Sequence, residues 1–390
     1  MEQHYSIRTY FKLNRVFMVS SGVWPYQPLH VARIIRLLWI TQHISIMTPE
    51  IIKLIEVRGM ADLLLECIPS VFYNIVIAVL YGTTIHHQRK IKELIEKIQK
   101  NWITISKKSE VEILTRYSNM GIRIGWLYIG ALYFTLFIFC LFPLSPIVMD
   151  YVNPLNVSRQ RLPLYRVQFF VDDKKYYWTI LMHAYTTTMI GIIPLLTVDL
   201  FLANCTQHIC GMMLILGKRL EKTMETTKLV VNKLDDNIYK DIRKCTILHT
   251  EILDFIEDIN YIFSTAFGIL LAVLTFLTSF TGIVVLIKWG DWNEVIRFGM
   301  FTMAELFHAF CYSYHSQDVI DHNNQIHKSI MNSGWYKSSM RTRVLVQMMF
   351  LRSNKPCLIN CIIFPLSMEN FTTILKTMFS YFTVVKSCRF

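Results

Sequence analysis

Long apolar runs constrain this chain more than any other feature. A helix crossing the hydrocarbon core of a bilayer needs roughly 20 mainly apolar residues. Residues 124–148, 176–203 and 261–287 form three unambiguous runs of that length, and 67–85, 295–314 and 358–385 form three good ones. A weaker run lies within 29–57, where Arg33, Arg36, Glu50 and Lys53 interrupt it. Charges near helix ends can snorkel to the interface, and the charge distribution below requires an odd number of spans. Composition agrees: hydrophobic residues reach 53% and charged residues only 17%, against roughly 25% charged in soluble proteins. The expected fold is all-α, an integral membrane seven-helix bundle.

Lysine and arginine collect in cytoplasmic connections, and that bias orients the bundle. The N-terminal segment and the second, fourth and sixth connections hold 28 of the 40 basic residues. The N-terminus is therefore expected inside and the C-terminus outside. The same bias expects a cytoplasmic segment 1–28, six spans with their connections over 29–357, and a seventh span with an extracellular end over 358–390. Residues 1–20 are mixed and lack a compact apolar core, so insertion is expected to fall to an internal span rather than a signal peptide. Of three glycosylation sequons, Asn156-Val157-Ser158 falls in a connection expected outside. Those at Asn204 and Asn370 fall inside the cell and inside the membrane.

The cytoplasmic connections carry amphipathic faces, Ile91, Leu94, Ile95 and Ile98 in one and Leu248, Ile252, Phe255 and Ile259 in another. Spans that continue as helices beyond the membrane and pack together account for both; a lipid-surface role is the alternative. The net charge of +12 lies between apolar runs rather than along one patch, so no nucleic-acid partner is expected. The nine cysteines lack zinc-ligand spacing, and the His86-His87 pair needs no metal; neither metal nor cofactor is expected. No nucleophile elbow, phosphate loop or zinc-protease motif points to an enzyme. Asp199 and Glu305 are carboxylates within spans, which makes them functional candidates. Asp199, near the inner boundary, is expected to meet a cytoplasmic base, while Glu305 has Arg297 and His308 within helical reach.

The last span carries a stripe: Thr373, Thr377, Ser380, Val384 and Ser387 recur at steps of four and three, on one helical face. Small hydroxylated stripes mediate dry helix packing in membranes. They also suit a water-filled pore, in which one apolar ring can gate by dewetting. Both readings stand on the pattern alone, and the second requires an oligomer.

The C-terminal third resembles the insect odorant receptor family. The likeness rests on Ser333-Gly334-Trp335-Tyr336, Leu351-Arg352-Ser353-Asn354-Lys355-Pro356, Phe364-Pro365-Leu366-Ser367, Phe371, Leu375-Lys376 and Ser380-Tyr381-Phe382-Thr383-Val384. Near the other end, Gly22-Val23-Trp24-Pro25 is similar to the family's Gly-x-Trp-Pro, and Asp199 with residues 207–211 and 219–221 looks like a hymenopteran version. Lys386, after the Tyr-Phe-Thr-Val-Val run, departs from the pattern.

The resemblance implies a tetrameric, odorant-gated, nonselective cation channel in the plasma membrane of sensory dendrites, its pore lined by Thr377, Ser380, Val384 and Ser387 of the seventh helix. Val384 matches the gate valine. A tuning-type subunit pairing with the family's co-receptor is implied, because no long insertion interrupts the fourth-to-fifth connection. The ligand, a small hydrophobic volatile, would sit in the outer half of the bundle. Candidate contacts there are Phe72, Tyr73, Ile77, Phe137, Leu141, Met182, Tyr185, Thr186, Met189, Met303 and Phe307. Each serves equally as plain core. Tyr185 and Thr186 add hydroxyls that could orient an oxygenated ligand. A metabotropic seven-helix receptor, which requires the opposite topology, and a transporter, which requires internal repeats, are the alternatives.

Overall fold

The computed structural model describes residues 11–227, 235–362 and 364–389. Among them the chain folds into helices α1 (Lys12–Ser20), α2 (Leu29–Glu56), α3 (Ala61–His86), α4 (Gln88–Thr104), α5 (Lys108–Leu141), α6 (Ser145–Val152), α7 (Tyr177–Gly191), α8 (Ile193–Thr227), α9 (Asp235–Ile287), α10 (Trp292–Asn332), α11 (Met340–Ser353) and α12 (Met368–Arg389). A two-residue hairpin, β1 (Asn360–Cys361) with β2 (Phe364–Pro365), turns the chain into α12. The seven expected spans are α2, α3, α5, α7 running into α8, α9, α10 and α12, in chain order. Four of them are long and apolar enough to cross a membrane by length and composition alone. The first, sixth and last carry more polar residues, among them His43 and Glu50, Arg297 and Glu305, and Lys376.

The helices outlast the bilayer because their apolar faces continue beyond it. Ile91, Leu94, Ile95 and Ile98 of α4 are buried, as are Leu248, Ile252, Phe255 and Ile259 of α9. Lys97 and Lys90 reach Asp258 at 2.6 and 3.5 Å and Lys100 reaches Glu251 at 3.1 Å, lacing α4 to α9 along the rim. At the centre of this anchor runs α8, where Cys205, Thr206, Gln207, Cys210 and Ile215 are wholly enclosed.

Gly22 ends α1 in the left-handed region, at φ 69°. A side chain there would meet the Ala32 carbonyl at 2.9 Å, so only glycine lets the turn press against α2. Trp39 Nε1 donates to Ser20 O at 2.9 Å and Tyr81 Oη to Ser21 O at 2.8 Å, fixing the turn between α2 and α3. The Ser353–Pro356 segment is held likewise: Asn323 Nδ2 on α10 donates to the carbonyls of Ser353 and Lys355 at 3.0 and 3.3 Å. These contacts give the Gly-x-Trp-Pro and Arg-Ser-Asn-Lys-Pro motifs a structural purpose.

Candidate functional site

Toward the end of the bundle that carries the 153–176 connection, the helices separate around a cavity of about 1100 Å³, its open mouth included. Its apolar wall comes from Ile46 on α2, Ile77 on α3, Leu132 and Leu136 on α5, Leu195 on α8 and Leu274 on α9. Met300, Phe301 and Ala304 on α10 complete it. Tyr165, from the 153–176 connection, reaches in from above and is hydrogen-bonded to Thr188 Oγ1 at 3.0 Å.

That connection is pinned. Arg166 Nε donates to Glu66 on α3 at 2.7 Å, Arg297 Nη2 on α10 donates to Leu164 O at 3.1 Å, and Gln168 N donates to Pro49 O on α2 at 3.1 Å. Arg297 thus spends its charge on Glu66 and Glu294, 3.5 and 3.7 Å away, and not on Glu305. The two arginine ties are charge-assisted, and they add to the burial of Leu164 and Val167 in holding the roof of the cavity.

Polar groups interrupt the wall. Gln42 Nε2 is satisfied by Thr187 O at 2.9 Å, and Asn74 Nδ2 by Glu50 Oε2 at 2.8 Å. His43 Nε2 and both carboxyl oxygens of Glu305 are buried with no hydrogen-bond partner. His308, one turn below Glu305, turns its Nε2 toward Asp199 Oδ2 at 3.4 Å. Asp199 meets no cytoplasmic base. Its carboxylate accepts the hydroxyls of Tyr128 on α5, at 2.5 Å, and Tyr312 on α10. The expectation of a helix-end ion pair failed because α8 continues far past Asp199, which places the carboxylate in mid-helix between two tyrosines.

Of the side chains expected to contact a ligand, Tyr73 and Ile77 line the cavity. Phe72 stacks on Phe276 of α9, with ring centroids 5.2 Å apart. Phe137, Leu141, Met182 and Thr186 are exposed on the outside of α5 and α7. Tyr185 and Met189 pack on a satellite cluster around Cys140, Leu164 and Leu181. Both hydroxyls expected to orient a ligand are engaged with main chain: Tyr185 Oη donates to Cys140 O and Thr186 Oγ1 to Met182 O, at 2.7 and 2.8 Å. Met303 and Phe307 line an apolar groove between α5 and α10 that shares Leu132, Thr135, Met300 and Ala304 with the cavity wall. Sequence reasoning missed Gln42, His43, Ser70, Asn74, Thr187, Thr188 and Glu305 as wall residues. Their shared signal was polarity inside apolar runs.

On α12, Ile374 is buried against the bundle while Thr373 and Ser380 are exposed and Thr377 is half-buried, so the described part of the hydroxyl stripe faces largely away from its own chain. Thr377 Oγ1 donates to Thr373 O at 2.8 Å. The side chains of Val384 and Ser387 lie outside the described residues. Asn156 is exposed in the 153–176 connection; Asn204 is buried, hydrogen-bonded to Asn14 at 2.6 Å.

Cys210, Asp318 and His322 converge within 4.8 Å at the anchor end. The two ring nitrogens of His322 are already within 2.7 Å of Asp318 O and 2.6 Å of Tyr117 Oη, and Gln207 Nε2 donates to Asp318 at 2.8 Å. This is a hydrogen-bond knot between α5, α8 and α10. Burial works to lower the His322 pKa, but its bonds to Asp318 outweigh it and hold it above the ordinary value.

Comparison with known proteins supplies the remaining observations. The family model described as 7tm odorant receptor matches residues 66–379. Odorant receptor Or2 of Anopheles gambiae is 22% identical over 335 residues, 81% of each chain. The structure of olfactory receptor OR5 from the insect Machilis hrabei in complex with eugenol superposes with a TM-score of 0.78 over 100% of both chains at 15% identity. The same receptor's structure described without a ligand gives 0.77 over 99% of each. At that identity the superposition shows a shared fold.

Proposed function

The chain belongs to the 7tm odorant receptor family, and from that membership we propose that it is a tuning subunit of an odorant-gated, nonselective cation channel. The observation that carries this reading is the roofed, mainly apolar cavity, most of whose lining residues lie within the family match. A cavity of that kind suits a small organic volatile, as eugenol is for the Machilis receptor. Bound ligand favours the open pore only by its differential affinity for that state. The cavity lies in the outer half of the bundle when the basic connections face the cytoplasm. Segment 1–28 is then cytoplasmic, and 358–390 supplies the pore and the extracellular end. The exposed stripe on α12 is consistent with a helix that meets other subunits, here a co-receptor in a heterotetramer of the sensory-neuron plasma membrane.

Expression with and without an insect co-receptor, recording current against a panel of volatiles, tests this directly. A ligand-evoked cation current that needs the co-receptor and persists in excised patches without nucleotide is the expected result; a response that depends on a G protein would reject it. Orientation has its own readout. An epitope tag at the C-terminus should stain intact cells, a tag at the N-terminus should not, and Asn156→Gln should remove the glycan-dependent mobility shift.

The gate makes a third expectation. Val384→Ser should lower the barrier to wetting of an apolar constriction, raising ligand-free leak or changing ion selectivity. Unchanged leak, selectivity and gating at normal surface level would leave the stripe a packing seam.

A further inference from the structure

We propose that the cavity selects volatiles bearing a hydroxyl group, which docks on the carboxyl of Glu305 while the ligand's hydrocarbon body lies against the apolar wall. This rests on reading the cavity as the odorant site and names the ligand class that the site takes.

Glu305 is 3% exposed, and neither of its oxygens has a hydrogen-bond partner. It lines the cavity from α10, within the sixth expected span. Buried polar groups are almost always satisfied, and an intramembrane carboxyl without a protein partner is a functional candidate by default. Arg297, two turns earlier on the same helix, is taken by Glu66 and Glu294. Asn74, the nearest amide on the cavity wall of α3, is taken by Glu50. Nothing in the described protein discharges Glu305. A ligand can.

The chemistry of the Glu305 carboxyl decides between ligand classes. A hydroxyl is one donor and two acceptors, so it meets a neutral carboxyl as donor and acceptor at once, and a carboxylate as donor. A ketone or ester offers acceptors only, so it takes a single bond from a neutral carboxyl and none from a carboxylate, and a hydrocarbon offers nothing. An ammonium group is a donor too, but it enters only by shedding a strongly held water shell. The histidines beside it, His43 and His308, add no negative charge to receive it. Ile46, Ile77, Leu132, Leu136, Leu195 and Leu274 surround the remaining space and suit an alkyl or aryl body. Polar discrimination has no competing seat at Tyr185 or Thr186, whose hydroxyls are bound to main-chain carbonyls.

The test is direct binding by the purified full-length chain in nanodiscs, read as the concentration-dependent shift of melting temperature with 1-octanol, 2-octanone, octylamine and octane. One hydrogen bond to a buried carboxyl corresponds to about ten- to a hundredfold in affinity. The wild type should therefore bind 1-octanol at least about tenfold more tightly than octane or 2-octanone. Glu305→Leu should bring the octanol-to-octane ratio close to one without weakening octane, and Glu305→Gln, which keeps a donor and an acceptor, should retain part of it. The ligand-free Glu305→Leu protein should melt no lower than wild type, since the substitution removes an unpaired buried carboxyl; if leucine does not fit, Glu305→Met serves as the apolar replacement of similar length. Equal binding of octanol and octane, a ratio untouched by Glu305→Leu or Glu305→Met, preference for octylamine, or binding of none of the four overturns the proposal. Whole-cell currents to the same four volatiles, recorded with the co-receptor co-expressed, separate it from the channel reading. Octanol bound without current rejects the channel and leaves the ligand class standing, whereas octanol and octane evoking equal currents at equal affinity does the reverse.

Discussion

Replacing Asp199 by alanine is expected to remove about 3–5 kcal/mol of stability, enough to strip most of the receptor from the membrane. The carboxylate is 7% exposed and joins three helices: Tyr128 of α5 and Tyr312 of α10 each donate to one of its oxygens, which project from α8. Without it, two tyrosine hydroxyls are left buried with no acceptor, each at a cost of about 1–3 kcal/mol. Asp199→Asn retains one acceptor and should lose roughly half as much. Melting followed by fluorescence-detected size exclusion measures both. A double-mutant cycle supplies the decisive control: in a Tyr128→Phe, Tyr312→Phe background the alanine substitution should be close to neutral, because no hydroxyl remains to be stranded. An Asp199→Ala protein that melts within about 2 °C of wild type would show that these bonds hold nothing together.

The second large effect lies at the other end. Glu110, at the start of α5, takes a bidentate pair from Arg219 of α8, with Nε–Oε1 at 2.9 Å and Nη2–Oε2 at 2.6 Å. Burial of Glu110 pushes its pKa up, but Arg219 and Lys107 outweigh that and hold it below the ordinary value of 4.5. Glu110→Ala strands a half-buried guanidinium, and the loss should be about 2–4 kcal/mol, below that of a fully buried pair because the Arg219 side chain is 27% exposed. Because the folded pKa is depressed, the stabilisation is complete above the ordinary carboxylate range and fades as pH falls through the lowered value. Wild type should therefore lose stability on acidification more steeply than Glu110→Gln, which cannot titrate. Parallel melting curves of the two from neutral pH into the acid range would refute the assignment.

The seven spans were legible because a bilayer demands length and hydropathy, and residues 124–148 or 261–287 admit no other use. The amphipathic faces of the connections were legible for a similar reason: Ile91, Leu94, Ile95 and Ile98, and Leu248, Ile252, Phe255 and Ile259, are periodic in an otherwise polar setting, and all are buried. The cavity wall was much harder to see. Inside a span, the lipid is as apolar as the core, so hydrophobic periodicity does not tell an inward side chain from an outward one. Met182 and Met303 look like pocket residues in sequence and are 55% and 66% exposed on the bundle's flank. The better signal was the opposite one. Gln42, His43, Asn74, Thr188 and Glu305 are polar where lipid forbids polarity, and all five face the cavity. Helix α2 supplied two of them and was the weakest span in the sequence, where Arg33, Arg36, Glu50 and Lys53 interrupt the apolar run.

The enclosure of α8 has a consequence for how such a receptor can diversify. Its inner half, from Cys205 to Leu216, is locked among α5, α9 and α10, with Cys205, Thr206, Gln207, Cys210, Ile215 and Leu216 entirely inaccessible. An exchange there opens a void or strands a polar group, and selection will remove it for lost folding alone. Around the cavity, Gln42, His43, Thr135, Thr188 and Met300 are only partly covered, and each borders empty space that can take up a change of volume. Drift in that ring alters what the cavity accepts before it endangers the scaffold. Duplicated copies of one gene can therefore part company in ligand preference while sharing a single way of folding, with new sensitivities arising by a few substitutions at one end of an otherwise conserved bundle.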